Sequence, residues 1–168
     1  MKTLMITQLK PNPAGKDRQP FGPIDPSQLA AEWVDIKNMG ATGVNTRGVE
    51  VNNKAFRPGD TEGHWRAVVA LPDFVLPTGA VLRLHSGKGG DYGVIRAEDN
   101  AGSDYRMFTG RNDYVWNNRE GDTAALWDLG AQQWIDGASY DPNPPEGVVL
   151  VRHGTKLEPA YAPAFRYR

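Results

Sequence analysis

The feature that most constrains this chain is its dense interruption by glycine and proline. The 19 glycines and 13 prolines leave only short segments, whose apolar residues alternate or come in β-branched runs and do not follow the i, i+3, i+4, i+7 spacing of a helix. Such segments are typical of β-strands. The nine candidate strands are Leu4–Leu9, Trp33–Asn38, Val44–Val51, His64–Leu71, Ala80–His85, Asp91–Ala97, Thr123–Asp128, Gln133–Ser139 and Gly147–Arg152.

The segment Trp33–Asn38 indicates what kind of sheet these strands form. Val34 and Ile36 fall on one face, whereas Asp35 and Lys37 fall on the other. A strand with one apolar and one polar face packs on the core with one side and meets water with the other, as strands of antiparallel sheets commonly do. We therefore predict an all-β fold, an antiparallel β-sandwich of about nine strands.

Only one segment has the features of a helix, and it is short. Asp25 precedes Pro26 and the sequence continues to Glu32 with leucine and alanine. An aspartate can cap a helix N-terminus, and proline is favoured at the first helical position. The sequence predicts at most one short helix, of one or two turns.

Length and composition exclude several classes of protein. The 168 residues suffice for one domain, and the formal net charge of -1 gives the whole molecule no electrostatic reason to bind polyanions. The chain contains no cysteine, which excludes disulfides, thiolate metal sites and a cysteine nucleophile. Because the net charge is close to zero, any nucleic-acid binding must be confined to a local basic part of the surface.

Apolar stretches are too short for export or membrane insertion. The stretch Leu4–Ile6 after Lys2 is too short for a signal-peptide core, and the runs Val68–Leu71 and Val148–Val151 are far shorter than a membrane-spanning helix. We expect no membrane association and, by default, a cytoplasmic location.

The most distinctive stretch runs from Thr109 to Asp128 and contains Trp116, Asn117 and Asn118. The two asparagines tolerate turn geometry, and Gly121-Asp122 can make a tight entry into the next strand, so the segment can pin a loop to a sheet edge. In the functional alternative, Trp116, Asn117, Asn118 and Asp122 form a binding surface, because an aromatic face with amide donors suits sugars, bases or peptide backbone.

Acidic side chains and histidines form no recognisable catalytic or metal motif. The acids of this region are Asp91, Glu98, Asp99, Asp104, Asp113, Asp122 and Asp128. They lack the spacing of a calcium loop, and His64, His85 and His153 lack metal-ligand spacing. We expect no catalytic residue, metal or cofactor, with a calcium-assisted or carbohydrate-directed hydrolase accessory as a remaining alternative.

The carboxy-terminal segment combines basic and aromatic side chains. Its candidate binding residues are Lys156, Tyr161, Phe165, Arg166 and Arg168. Basic residues beside aromatics can follow a phosphate backbone and stack on bases, so nucleic-acid binding is the alternative function. The simpler interpretation is a proline-containing tail that covers an exposed sheet edge.

Tryptophan is abundant for a domain of this size. The five residues are Trp33, Trp65, Trp116, Trp127 and Trp134. Most are expected in the core or half-buried. One or two that are exposed on the same face would mark an interaction patch.

Four motifs follow one another along the chain: Glu32–Val51, Leu76–Gly87, Val115–Ala124 and Asp136–Tyr140. In this order they resemble the motifs of the lamin-tail domain, the tail of intermediate-filament proteins, here as a bacterial-type stand-alone member. The resemblance covers most of the chain and implies an immunoglobulin-like β-sandwich that serves as a binding or structural module, with no catalytic residues to carry over.

Taken together, these observations predict two parts. Residues 1–152 form a lamin-tail-like β-sandwich, and residues 153–168 form a basic, aromatic extension. The leading hypothesis is a non-catalytic module that binds a protein partner.

Overall fold

The fold of this chain is built mainly from short strands. The computed structural model describes residues 2–18, 21–89 and 95–160, with 41% strand and 8% helix, so the prediction of an all-β protein is confirmed. The strands β1 to β12 are, in order, Leu4–Lys10, Trp33–Asn38, Val44–Asn45, Val49–Ala55, His64–Ala70, Val75–Leu76, Val81–His85, Tyr105–Phe108, Asp122–Asp128, Gln133–Tyr140, Leu150–His153 and Lys156–Pro159. The described residues thus contain twelve strands, where the sequence predicted about nine.

Ten of the strands form one curled sheet, and β3 and β6 form a separate pair. The order in the large sheet is β5-β4-β9-β10-β12-β11-β1-β2-β7-β8, and the sheet curls into a half-barrel. Strand pairs are antiparallel, as predicted, except for β10 with β12 and β7 with β8, which are parallel. Parallel neighbours cannot be joined by a tight turn, and the long connection between β7 and β8 meets this requirement.

The apolar side chains of the curled sheet pack into one core. Ile6 of β1, Val34 of β2, Val51 of β4, Leu126 of β9 and Leu150 of β11 belong to the same buried cluster. Right-handed twist accumulated over many strands bends a sheet until one face encloses itself. The curl therefore buries apolar residues from strands that are distant in sheet order.

β2 differs from the expected one-sided strand. Val34 and Ile36 are buried as predicted, but Asp35 is also buried, and Arg83 of β7 donates two hydrogen bonds to its carboxylate, at 2.7 and 2.9 Å. Arg83 also donates to the carbonyls of Asp99 and Ala101. The connection around Asp99 therefore covers the face of β2 that the sequence assigned to water.

Two short α-helices are present among the described residues, where at most one was predicted. The first, α1 (Pro26–Ala30), begins as expected, because the carboxylate of Asp25 accepts hydrogen bonds from the backbone amides of Ser27 and Gln28. The second, α2 (Ala97–Asn100), begins where the candidate strand Asp91–Ala97 was to end. Residues 91–94 of that candidate lie outside the described residues.

Other predicted boundaries also shift. The candidate Val44–Val51 is divided into β3 and β4, and β6, β8 and β12 were not predicted. The predicted domain boundary after residue 152 falls inside β11. Beyond it, a two-residue loop joins β11 to its antiparallel partner β12, and Gly154 of this loop has φ +63°, a conformation that favours glycine. β12 also pairs in parallel with β10.

Candidate functional site

The segment around Trp116 is held in the interior and does not form a surface platform. The Trp116 side chain is 3% exposed, and it belongs to the core cluster with Val115. Its ring is therefore unavailable for stacking on an external ligand, contrary to the functional interpretation of this segment. Backbone and side-chain hydrogen bonds from several elements fix the loop that contains it.

Asp122, at the start of β9, is the main acceptor of this loop. Its carboxylate accepts hydrogen bonds from the backbone amides of Lys54 (2.7 Å), Thr123 (2.7 Å) and Asn117 (3.1 Å). The side-chain amides of Asn53 (2.9 Å) and Asn117 (3.1 Å) also donate to it. Burial raises the pKa of Asp122, and the five N–H donors act against that effect. The carboxylate joins the loop to β4 and has no free face for a ligand.

Glu32, just after α1, is a second buried carboxylate that holds the loop containing Trp116. Its buried carboxylate accepts hydrogen bonds from Lys16 Nζ (2.6 Å), the backbone amide of Val115 (2.7 Å) and the hydroxyl of Ser86. Burial raises the pKa of Glu32, whereas the Lys16 ammonium lowers it. The ion pair and the hydrogen bonds hold Val115 and the preceding chain against the end of α1.

Asn117 and Asn118 line a cavity of about 460 Å³ together with Lys16, Arg66 and Tyr114. The Asn118 amide donates to the side chains of Asn12 and Asp17, at 2.9 and 3.2 Å. The amide of Asn117 is bound to Asp122 as described above. The amide donors that suggested a binding surface are therefore used within the protein.

The carboxy-terminal candidates are described only in part. Lys156 lies in β12, and its ammonium is 2.6 Å from the carboxylate of Asp141. Tyr161, Phe165, Arg166 and Arg168 lie outside the described residues. The nucleic-acid hypothesis therefore stays a prediction.

Of the acids considered for calcium, Asp91 lies outside the described residues, and Asp99 and Asp104 serve separate structural contacts. Asp99 accepts hydrogen bonds from Lys10 and from the Trp33 indole, and Asp104 accepts one from the backbone of Val81. Asp113 is exposed. Within the described ranges, no group of three or more histidine or acidic side chains is arranged to hold a metal ion.

The three histidines lie in different environments. His64 is exposed on β5 beside Asp60, and His153 is exposed beside Glu158. His85 is fully buried, with Nδ1 2.6 Å from the carbonyl oxygen of Ala30 and its ring stacked on Phe108. Burial lowers the pKa of His85 to about 4, so the ring is neutral at pH 7 and Nδ1 donates its proton to Ala30.

Three other tryptophans are brought together on the outer face of the sheet, and we call this surface the tryptophan face. It consists of Trp65 of β5, Trp127 of β9 and Trp134 of β10. The ring centroids of Trp65 and Trp134 are 4.6 Å apart, and those of Trp127 and Trp134 are 4.8 Å apart. Trp65 is 42% exposed and Trp134 is 44% exposed, so two indoles in mutual contact remain open to solvent.

The strand pattern explains why these rings point outward. In β9, Ala124 and Leu126 are buried in the core, so Thr123 and Trp127 point to the opposite face. β4 and β9 separate β5 from β10. The Trp65 and Trp134 rings therefore meet by reaching over two strands.

A shallow depression of about 250 Å³ adjoins Trp65 and Trp134. Its other lining residues are mostly small or carry hydroxyls: Thr123, Ala125, Asp136, Gly137, Ala138, Ser139 and Thr155. Within the part of the chain that the structure describes, the hydroxyls of Thr123, Ser139 and Thr155 make no hydrogen bond to another protein group. Aromatic walls and unused hydroxyls thus occur at the same place.

Charges at this surface are balanced within the protein. The Lys54 ammonium lies 4.4 Å from the centre of the Trp65 ring, which is a cation–π contact. Asp136, at the margin of the depression, forms two hydrogen bonds with Arg152, at 2.9 and 3.0 Å. The Asp136 carboxylate is thus paired within the protein, whereas the Lys54 ammonium keeps its charge beside the Trp65 ring.

Sequence reasoning identified the five tryptophans as a group and predicted that exposed members on one face would mark a patch. It did not choose Trp65, Trp127 and Trp134. The alternation in β9 is the signal that could have placed Trp127 outward, whereas the meeting of Trp65 with Trp134 depends on strand order.

Comparison with known proteins gives no assignment: no protein-family model and no curated protein matches the chain. In the described ranges, neither helix has the length and apolar character required to cross a membrane. The function of the protein must therefore be inferred from the geometry of its site.

Proposed function

We propose that this protein is a non-catalytic binding module and that its ligand-binding surface is the tryptophan face. The observation on which the proposal depends is the contact between two indoles, each more than 40% exposed, on one face of the sheet. Large aromatic side chains are rarely left open in adjacent pairs, and tryptophan is the residue type most enriched among the dominant contacts of binding surfaces.

The non-catalytic part of the proposal is supported by how the buried ionisable groups are used. Glu32 and Asp122 accept hydrogen bonds from backbone and side-chain donors that fix a loop. Asp35 and Arg83 pair with each other. A general acid or base must have access to a substrate proton, and these groups are enclosed by their partners.

We also propose that the fold of this chain is a variant of the immunoglobulin-like lamin-tail architecture. Its support is that the motif segments adjoin one another: Trp33–Asn38 pairs with Val81–His85, and Asp122–Asp128 pairs with both Val49–Ala55 and Gln133–Tyr140. Superposition of an experimental structure on a lamin-tail domain tests this relationship, and strands that fail to align in the same order contradict it.

The binding function is tested by comparing three immobilised proteins: the wild type, the double variant Trp65→Ala/Trp134→Ala and the control Tyr105→Ala. Tyr105 is a suitable control because it is 39% exposed and contacts another ring, that of Phe74, but lies on β8 at the far edge of the sheet. Each immobilised protein is incubated with an extract of the cells in which the protein naturally occurs. Retained proteins and sugars are identified by mass spectrometry.

We expect a component that the wild type and Tyr105→Ala retain and the double variant does not. That component is then purified, and its binding to the three proteins is measured by calorimetry. Retention profiles that are identical for the wild type and the double variant would contradict a binding role for the tryptophan face. Circular dichroism of each variant confirms that it is folded.

A further inference from the structure

Resting on the proposed function, we propose that the tryptophan face binds an uncharged oligosaccharide, with one sugar ring seated in the depression beside Trp65 and Trp134. The assignment depends on the chemistry of the depression, which combines indole rings, hydroxyls that make no hydrogen bond within the described residues, and a floor of small residues.

The first argument is the pairing of aromatic and hydroxyl groups. A sugar ring has apolar C–H patches, which pack on an indole, and hydroxyls, which need hydrogen-bond partners. Trp65 and Trp134 supply the aromatic surface. Thr123, Ser139 and Thr155 supply hydroxyls that can both donate and accept. An apolar peptide side chain would leave those three hydroxyls without partners when it displaced water.

The second argument is the shape of the surface. Ala125 and Gly137 pair directly across β9 and β10. Because alanine carries only a methyl group and glycine no side chain, the floor of the depression lies low between the larger rings. The volume of about 250 Å³ lies below the usual range for pockets that enclose a drug-sized molecule. A single ring of a longer chain suits this space, with neighbouring rings free to extend along the sheet.

The third argument is charge. A polyanion such as nucleic acid gains most of its affinity from lysine and arginine side chains that neutralise phosphates. At the tryptophan face, Lys54 contacts the Trp65 ring and Arg152 is paired with Asp136. Glu50 lies opposite Trp127 in the register of β4 and β9 and would repel a polyanion. This balance favours a ligand without net charge.

The test measures binding of four uncharged hexasaccharides, namely cellohexaose, maltohexaose, mannohexaose and N-acetylchitohexaose, by calorimetry and by tryptophan fluorescence. We expect at least one to bind the wild type with a dissociation constant of about 1 mM or lower. Trp65→Ala and Trp134→Ala should each weaken that binding at least about tenfold, whereas Tyr105→Ala should leave it unchanged.

The hydroxyls are tested separately from the rings. Ser139→Ala and Thr123→Val remove a hydroxyl with little change in size, and each should weaken binding of the same hexasaccharide about three- to tenfold. If neither variant changes the affinity, the sugar is not seated in the depression and the assignment fails.

Other occupants give distinct results that overturn the assignment. Binding of none of the four hexasaccharides, or binding that survives both tryptophan substitutions, contradicts it. So does a dimer of the wild type that Trp134→Ala dissociates in sedimentation experiments, since a second copy would then cover the face. Salt-dependent binding of single-stranded DNA that is lost on Trp65→Ala would assign the face to nucleic acid instead.

Failure of this inference can be distinguished from failure of the proposed function. If no hexasaccharide binds but a purified protein still binds the wild type and not Trp65→Ala/Trp134→Ala, the module binds through the tryptophan face and its ligand is a protein. If that double variant retains every component, both proposals fail together.

Discussion

Two tryptophan-containing regions of this molecule, the Trp116 loop and the tryptophan face, have opposite relations to solvent. Trp116 stands in the sequence beside two asparagines, which suggested a surface with ready donors, yet its ring is 3% exposed. Trp65 and Trp134 also have polar neighbours, His64 and Arg66 for the first and two glutamines for the second, and both indoles are open to water.

The difference shows that polar residues next to a tryptophan in the sequence do not by themselves indicate a binding surface. In a loop, the same residues can instead hold the chain in place. The amides of Asn117 and Asn118 are bound to Asp122, Asn12 and Asp17, because a loop that enters a core must have its polar groups paired. At the tryptophan face, β4, β5, β9 and β10 pair their backbone groups with neighbouring strands. The side chains on this face are therefore not required to pair with backbone groups.

The largest expected effect on stability is at Trp116, the buried tryptophan of this comparison. Trp116→Ala should lower the free energy of unfolding by roughly 3–5 kcal/mol, because it leaves a large cavity in the core. Urea denaturation followed by circular dichroism measures the loss. Trp116→Phe, which keeps an aromatic ring, serves as the control and should lose less. A loss below about 1 kcal/mol for Trp116→Ala would mean that the ring is not packed in the core.

The next effect concerns the carboxylate that fixes the same loop. Asp122→Ala should lower the free energy of unfolding by roughly 2–4 kcal/mol, because two side-chain amides and three backbone amides would lose a charged acceptor while remaining enclosed. The control Asp113→Ala removes an exposed carboxylate and should change stability by less than about 0.5 kcal/mol. Equal losses for the two variants in urea denaturation would contradict the structural role of Asp122.

These two regions also show which parts of the structure the sequence can predict. Strand β2 was predicted with its observed bounds, and β7 and β10 within one residue, because alternation and turn residues act locally. The cap of α1 by Asp25 was predicted for the same reason. The core positions Val34 and Ile36 followed from the alternation alone.

Features that depend on distant parts of the chain were not predicted. The burial of Asp35 requires Arg83 of β7 to lie opposite it and the chain around Asp99 to cover both. The parallel pair β7 and β8 requires a long crossover. The contact between Trp65 and Trp134 requires strands far apart in sequence to lie on one face, and strand order is not encoded in any local pattern.

A third prediction uses pH to separate the interior from the surface. Burial lowers the pKa of His85 to about 4 from its ordinary value of 6.5, so the folded protein binds fewer protons than the unfolded chain between these pH values. The stabilisation is complete above pH 6.5 and is lost as the pH falls towards 4, by at most about 1.4 kcal/mol per pH unit.

The contribution of His85 is isolated by comparison with His85→Asn, whose amide can still donate to the carbonyl of Ala30. Unfolding free energies measured in urea at pH 7, 5.5 and 4.5 should fall more steeply for the wild type than for the variant. Parallel pH profiles would show that His85 is accessible to protons in the folded state. Ligand binding at the tryptophan face should be the same at pH 7 and at pH 5.5.

The smallest expected effect on stability is at the tryptophan face itself. Trp134→Ala should lower the free energy of unfolding by about 1 kcal/mol or less, because much of the ring is already in water and the loss is limited to its contacts with Trp65 and Trp127. Urea denaturation of Trp134→Ala beside Trp116→Ala compares the same substitution in the two regions. A cost that approaches that of Trp116→Ala would mean that the three rings are a part of the folded core and do not form an open surface. A small cost combined with a large loss of ligand binding would separate the residue's function from folding.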